Sequence, residues 1–73
     1  MTSVEEILSQ AIQGEMDAYE LYTGAMEMAG AEHVKTMLGE LAQEELGHKI
    51  VLERMRADPS QLQWHVRALQ AIV

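Results

Sequence analysis

Apolar residues recur at steps of four and three along nearly the whole chain, and helix-ending residues divide this repeat at two places, Gly30 and Asp58-Pro59. A pattern of that period demands amphipathic helices, and breaks so far apart demand long ones. Ser3 followed by Glu6 makes a capping box that opens a first helix at Val4. Its apolar line reads Val4, Leu8, Ala11, Ala18, Tyr22, Ala25 and Ala29, and Gly30 is expected to end it as a C′ residue. The repeat resumes at Val34, Leu38, Leu41, Leu52 and Met55, which predicts a second helix over 32–57 after a first over 4–29. Asp58, Pro59 and Gln61 then supply an N-cap, a first-turn proline and an N3 glutamine for a short helix over 59–71 carrying Leu62, Val66 and Leu69. The fold class is all-α: an antiparallel two-helix hairpin with a short third helix, one domain over 1–73.

Such a hairpin is too thin to bury its own apolar surface. A 73-residue chain hides only about 60% of what its unfolded form exposes, and 48% of these residues are hydrophobic. With no cysteine, neither disulfides nor thiolate metal sites can staple it. A His/carboxylate metal and a second copy of the chain remain, so the hairpin is expected to pair into a four-helix bundle. The net charge of −7 repels nucleic acid and anionic lipid and attracts cations. No apolar run approaches the ~20 residues of a membrane span, and no basic segment leads into one as in a signal peptide. A soluble, cytoplasmic protein without nucleic-acid or membrane partners is expected.

The chemistry lies where the apolar lines are interrupted. Glu15 stands where the first helix should continue between Ala11 and Ala18; Glu45 and His48 stand between Leu41 and Leu52. Carboxylates at inward positions are almost never tolerated without a partner or a metal. Glu45 and His48 form an E-x-x-H pair, whose i, i+3 spacing puts both on one helical face. Glu15 and Glu45 each lie 15 residues from Gly30, so folding there brings them level, ~22 Å from the turn. His48 falls one turn further, opposite Ala11 and Ile12, within reach of a cation shared with Glu15. Two carboxylates and one imidazole are too few for a closed site, whereas two hairpins supply the four carboxylates and two imidazoles of a di-iron or di-manganese bundle. Oxygen-rich ligation with one imidazole per metal suits Fe(II), with Mn(II) also admitted.

Other residues carry weaker signals. Asp17, Glu20 and Glu44 read as a solvated acidic face or an outer cation path. Met16, Met26, Met28, Met37 and Met55 read as interface filling, and His33 and His65 as capping or packing groups. Gly14 and Gly47 each precede a proposed ligand at a cost of roughly 1 kcal/mol in a helix interior. One explanation is room for close helix approach or for metal beside the site.

The stretches Gly14-Glu15-Met16-Asp17-Ala18-Tyr19-Glu20-Leu21-Tyr22 and Leu41-Ala42-Gln43-Glu44-Glu45-Leu46-Gly47-His48 resemble the ferritin-like superfamily, in particular the rubrerythrin-like half-ferritins and encapsulated ferritins. The 30-residue gap between Glu15 and Glu45 and the short helix after Pro59 are similar to the latter. The resemblance implies a ferroxidase that oxidises Fe(II) with dioxygen at a di-iron site between two chains, within a decameric ring held as cargo in an encapsulin nanocompartment. It further implies Glu15 as the bridging ligand, Glu45 and His48 as terminal or chelating ligands, Asp17 as a metal-entry residue and Tyr22 as a tyrosine near the centre. A rubrerythrin-like peroxidase and a non-catalytic module stapled by metal are the alternatives.

Overall fold

The computed structural model describes residues 3–58. The helix expected over 59–71, with Trp64 and His65, lies outside the described residues. Two helices form an antiparallel hairpin: α1 spans Val4–Met28 and α2 spans Glu32–Ala57. No strand occurs among the described residues, and no described helix is long and apolar enough to cross a membrane.

The helix ends follow from local chemistry. Ser3 sits in extended backbone, and its Oγ accepts a hydrogen bond from the Glu6 amide at 3.1 Å, satisfying one of the first-turn donors a helix leaves open. Glu5 and Glu6 add negative charge to that positive end, and Arg54 and Arg56 place positive charge at the end of α2. The first helix stops one residue earlier than expected, and the stop does not come from a left-handed glycine. Ala29 leaves the helix in extended backbone (φ −72°, ψ 132°), while its amide still donates to the Ala25 carbonyl at 3.0 Å. Gly30 has negative φ, so its lack of a side chain is not what reverses the chain.

The packed core occupies the end of the hairpin remote from the turn. Leu8 and Ile12 from α1 close on Leu52 and Met55 from α2, with Ala11 and Val51 against them. Leu52 and Met55 are completely buried, and each is worth about 1.5–3 kcal/mol in apolar surface removed from water. Arg56 Nη1 reaches across to Ser9 Oγ at 3.3 Å at the same end. Near the turn the helices approach at Gly39, where an added Cβ would come within 3.3 Å of Met26 Cε.

One expected line needs correction. Along α1 the inward residues are Leu8, Ile12 and Glu15, whereas Val4 is 50% exposed and Ala11, Ala18 and Ala25 are only half-buried. Four-three spacing also threads a second line, Val4, Ile7, Ala11, Gly14, Ala18, Leu21, Ala25 and Met28. The alanines border both lines, so periodicity alone merges them and misses Ile12. On the second line Ile7, Leu21 and Met28 are 53%, 68% and 88% exposed.

Candidate metal centre

One turn beyond Ile12, the inward line of α1 meets Glu15, the one buried charged residue among the described residues at 8% exposure. From α2 the corresponding turns deliver Glu45 and His48, both half-buried. Equal distance from the turn does bring Glu15 level with Glu45. One ligand atom from each of Glu15, Glu45 and His48 lies within 4.8 Å of the other two. His48 Nδ1 stands 3.4 Å from Glu15 Oε2 and 3.8 Å from Glu45 Oε2.

These contacts do not satisfy the groups that make them. Glu15 Oε2 and His48 Nδ1 are shut off from solvent and neither has a hydrogen-bond partner. Buried polar atoms without partners are rare because each forfeits its hydration. Burial pushes the Glu15 carboxyl up from 4.5 to about 7, helped by the neighbouring Glu45 carboxylate and only partly offset by the His48 imidazole. A divalent cation between these atoms would resolve all three conditions at once: it gives the two orphaned atoms a partner, separates the carboxylates and displaces the proton. The donor set, two carboxylates and one imidazole, fits iron or manganese.

The remaining candidates sit elsewhere. Asp17 is exposed, and its Oδ1 accepts a 2.9 Å hydrogen bond from Gln13 Nε2, a local surface pair on α1. Tyr22 is half-buried on α1, seven residues beyond Glu15. Glu20, Glu44 and His33 are exposed. Of the methionines, Met55 is core, Met26 packs at Gly39, and Met16, Met28 and Met37 are exposed. A Cβ added at Gly14 or Gly47 would meet nothing within 4 Å, so neither glycine serves close approach of α1 to α2.

A cavity of about 240 Å³ opens in the groove beside the cluster, lined by Met16, Tyr19, Glu20, Leu46 and Lys49. Periodicity along either helix does not mark it, although a signal exists: Met16, Leu46 and Lys49 each directly follow one of the three clustered residues.

The comparisons agree with this geometry. The family model for rubrerythrin matches residues 6–68, covering all but the first two residues of α1, the whole of α2 and all three clustered residues. No curated protein and no solved structure matches the chain. Two helices that meet in a partly buried Glu15, Glu45 and His48 cluster, within a match that spans most of the sequence, place this chain in the rubrerythrin family of the ferritin-like superfamily.

Proposed function

We propose that the chain is one half of a ferroxidase that oxidises Fe(II) with dioxygen at a two-iron site completed by a second copy. The observation that carries this reading is the pair of buried, unpartnered atoms Glu15 Oε2 and His48 Nδ1 at 3.4 Å. The family typically binds iron. One hairpin offers three ligand groups; two related by a two-fold axis offer four carboxylates and two imidazoles, the set used by di-iron bundles.

Iron is the substrate. Two Fe(II) give up two electrons to dioxygen, which takes two protons and leaves as hydrogen peroxide, and two Fe(III) are the products. The chain's own part is to gather and hold the cations. Glu15, protonated about half the time near neutral pH in the free chain, gives up its proton as it takes a ligand role, and Glu45 holds the opposite side. His48 contributes a neutral nitrogen, so the ligand set balances the added charge without excess. Assembly into a decameric ring and delivery of ferric product to a mineral in an encapsulin shell complete the proposal.

Anaerobic addition of Fe(II) followed by air should produce a ferric absorbance in the native chain and little in Glu15→Ala or His48→Ala. Equal rates in all three would overturn the assignment. Consumption of hydrogen peroxide in preference to dioxygen would make the protein a peroxidase of the same site, and identical assembly with Zn(II) and no turnover would make it a metal-stapled module.

A further inference from the structure

We propose that Met16 is a sacrificial peroxide trap, whose thioether takes an oxygen atom from the hydrogen peroxide leaving the metal cluster and becomes the sulfoxide before that oxidant reaches bulk solvent. The proposal rests on the ferroxidase reading above for its source of peroxide. It assigns a modification site to a residue that holds no metal.

Met16 directly follows Glu15, so it stands about 100° around α1 and about 1.5 Å along it from the most buried member of the cluster. Across the groove, Leu46 and Lys49 directly follow Glu45 and His48, which sets one wall residue of the cavity beside each clustered residue. The cavity therefore adjoins the cluster from both helices. Its volume of about 240 Å³ is many times the roughly 30 Å³ share of a water molecule, so it admits peroxide together with water. Tyr19, Glu20 and Lys49 complete the lining, and their hydroxyl, carboxylate and ammonium groups can hydrogen-bond a small polar oxidant beside the thioether.

Position singles out Met16 among the methionines, and exposure does not. Met26 and Met28 lie 10 and 12 residues further along α1, about 15 and 18 Å away along the axis. On α2, Met37 is eight residues before Glu45 and Met55 seven after His48, about 12 and 10 Å away along the axis, and Met55 is completely buried. Among the described residues, only Met16 lies within one helical turn of the cluster. Exposure ranks the accessible sulfurs in another order: Met28 at 88%, Met37 at 52% and Met16 at 39%. An oxidant arriving from solvent meets Met28 first, whereas one arriving from the cluster meets Met16 first. A leucine would fill the same groove at nearly the same volume; what methionine adds there is an oxidisable sulfur.

The step balances with peroxide alone. The sulfur lone pair attacks one peroxide oxygen, the O–O bond breaks, an S–O bond forms, and the other oxygen leaves as water with both protons. Sulfur loses the two electrons that the peroxide gains. Two Fe(II) yield one peroxide, so two chains that share a site hold two thioethers against one peroxide per turnover. The trap is full after two turnovers, and peroxide escapes from the third onward.

The test is to load the chain anaerobically with Fe(II), admit air with catalase in solution, and read each methionine for added oxygen by peptide mass spectrometry. Met16 should gain oxygen several times faster than Met28 or Met37, whereas hydrogen peroxide added to the iron-free chain should oxidise Met28 first. Without catalase, release of peroxide should lag for two turnovers in the native chain and begin at once in Met16→Leu, with ferric absorbance retained in both. Oxidation in the order of exposure during turnover, or the same course of release from both chains, would overturn the trap. Ferric absorbance without selective oxidation of Met16 removes the trap and leaves the ferroxidase standing; absence of both ferric absorbance and peroxide removes the two together.

Discussion

The same hairpin seam is built in two ways. Remote from the turn it is closed by Leu8, Ile12, Leu52 and Met55; one turn nearer the turn, the next inward positions are taken by Glu15, Glu45 and His48. The first region is complete within one chain, since apolar side chains need only one another. The second is chemically unfinished, holding two inaccessible polar atoms with no hydrogen-bond partner. The difference separates the part of the hairpin that its own apolar side chains complete from the part that a cation would complete.

Truncating the apolar region should have the largest effect. Leu52→Ala, at a fully buried position, should cost about 2–5 kcal/mol, measured by urea unfolding followed by circular dichroism. The loss should be the same with and without metal. A loss seen only in the metal-loaded protein would mean that the two regions are not separable.

The polar region should reveal itself through pH. The Glu15 carboxyl titrates at about 7 in the fold against 4.5 outside it, so the fold holds the proton more tightly than the unfolded chain does. Its contribution to stability is whole below 4.5 and is lost as pH rises through 7, with a ceiling of roughly 3 kcal/mol. Unfolding of the metal-free chain across that range should show this loss, and Glu15→Gln should flatten it. The same displacement of a proton makes metal binding weaken as pH falls below 7.

Replacing the unfinished chemistry with the finished kind comes next. Glu15→Leu should stabilise the metal-free chain by about 1–3 kcal/mol, because it removes a buried carboxylate oxygen with no hydrogen-bond partner, and should abolish stabilisation by Fe(II). Smallest is Gly47→Ala in the dilute, metal-free chain, which should gain about 1 kcal/mol of helix stability because the new Cβ meets nothing inside the hairpin. A loss there would mean that the space beside Gly47 is not open within the hairpin.

Much of this was legible in the sequence because the signals are local or symmetric. The Ser3 cap needs one side chain and one amide three residues on, and it forms as expected. The span of α2 agrees end for end. The meeting of Glu15 with Glu45 and His48 could be counted from Gly30, since both helices rise equally per residue. What periodicity could not resolve was which of two neighbouring lines on α1 faces inward, because alanines sit on the border and suit either side. Nor does Gly30 fix the turn: glycine permits a left-handed turn without requiring one, and Ala29 leaves the helix in extended backbone. The Met16, Tyr19, Leu46 and Lys49 cavity was missed because no pattern along one helix reports a groove between two.

The central claim is that Glu15, Glu45 and His48 form half of a metal site that a second copy completes. Anaerobic native mass spectrometry of the chain with and without Fe(II) tests it most directly. The account predicts iron on paired chains at one per chain, and loss of that iron in His48→Ala. Iron carried equally by single chains, or iron retained without His48, would contradict it.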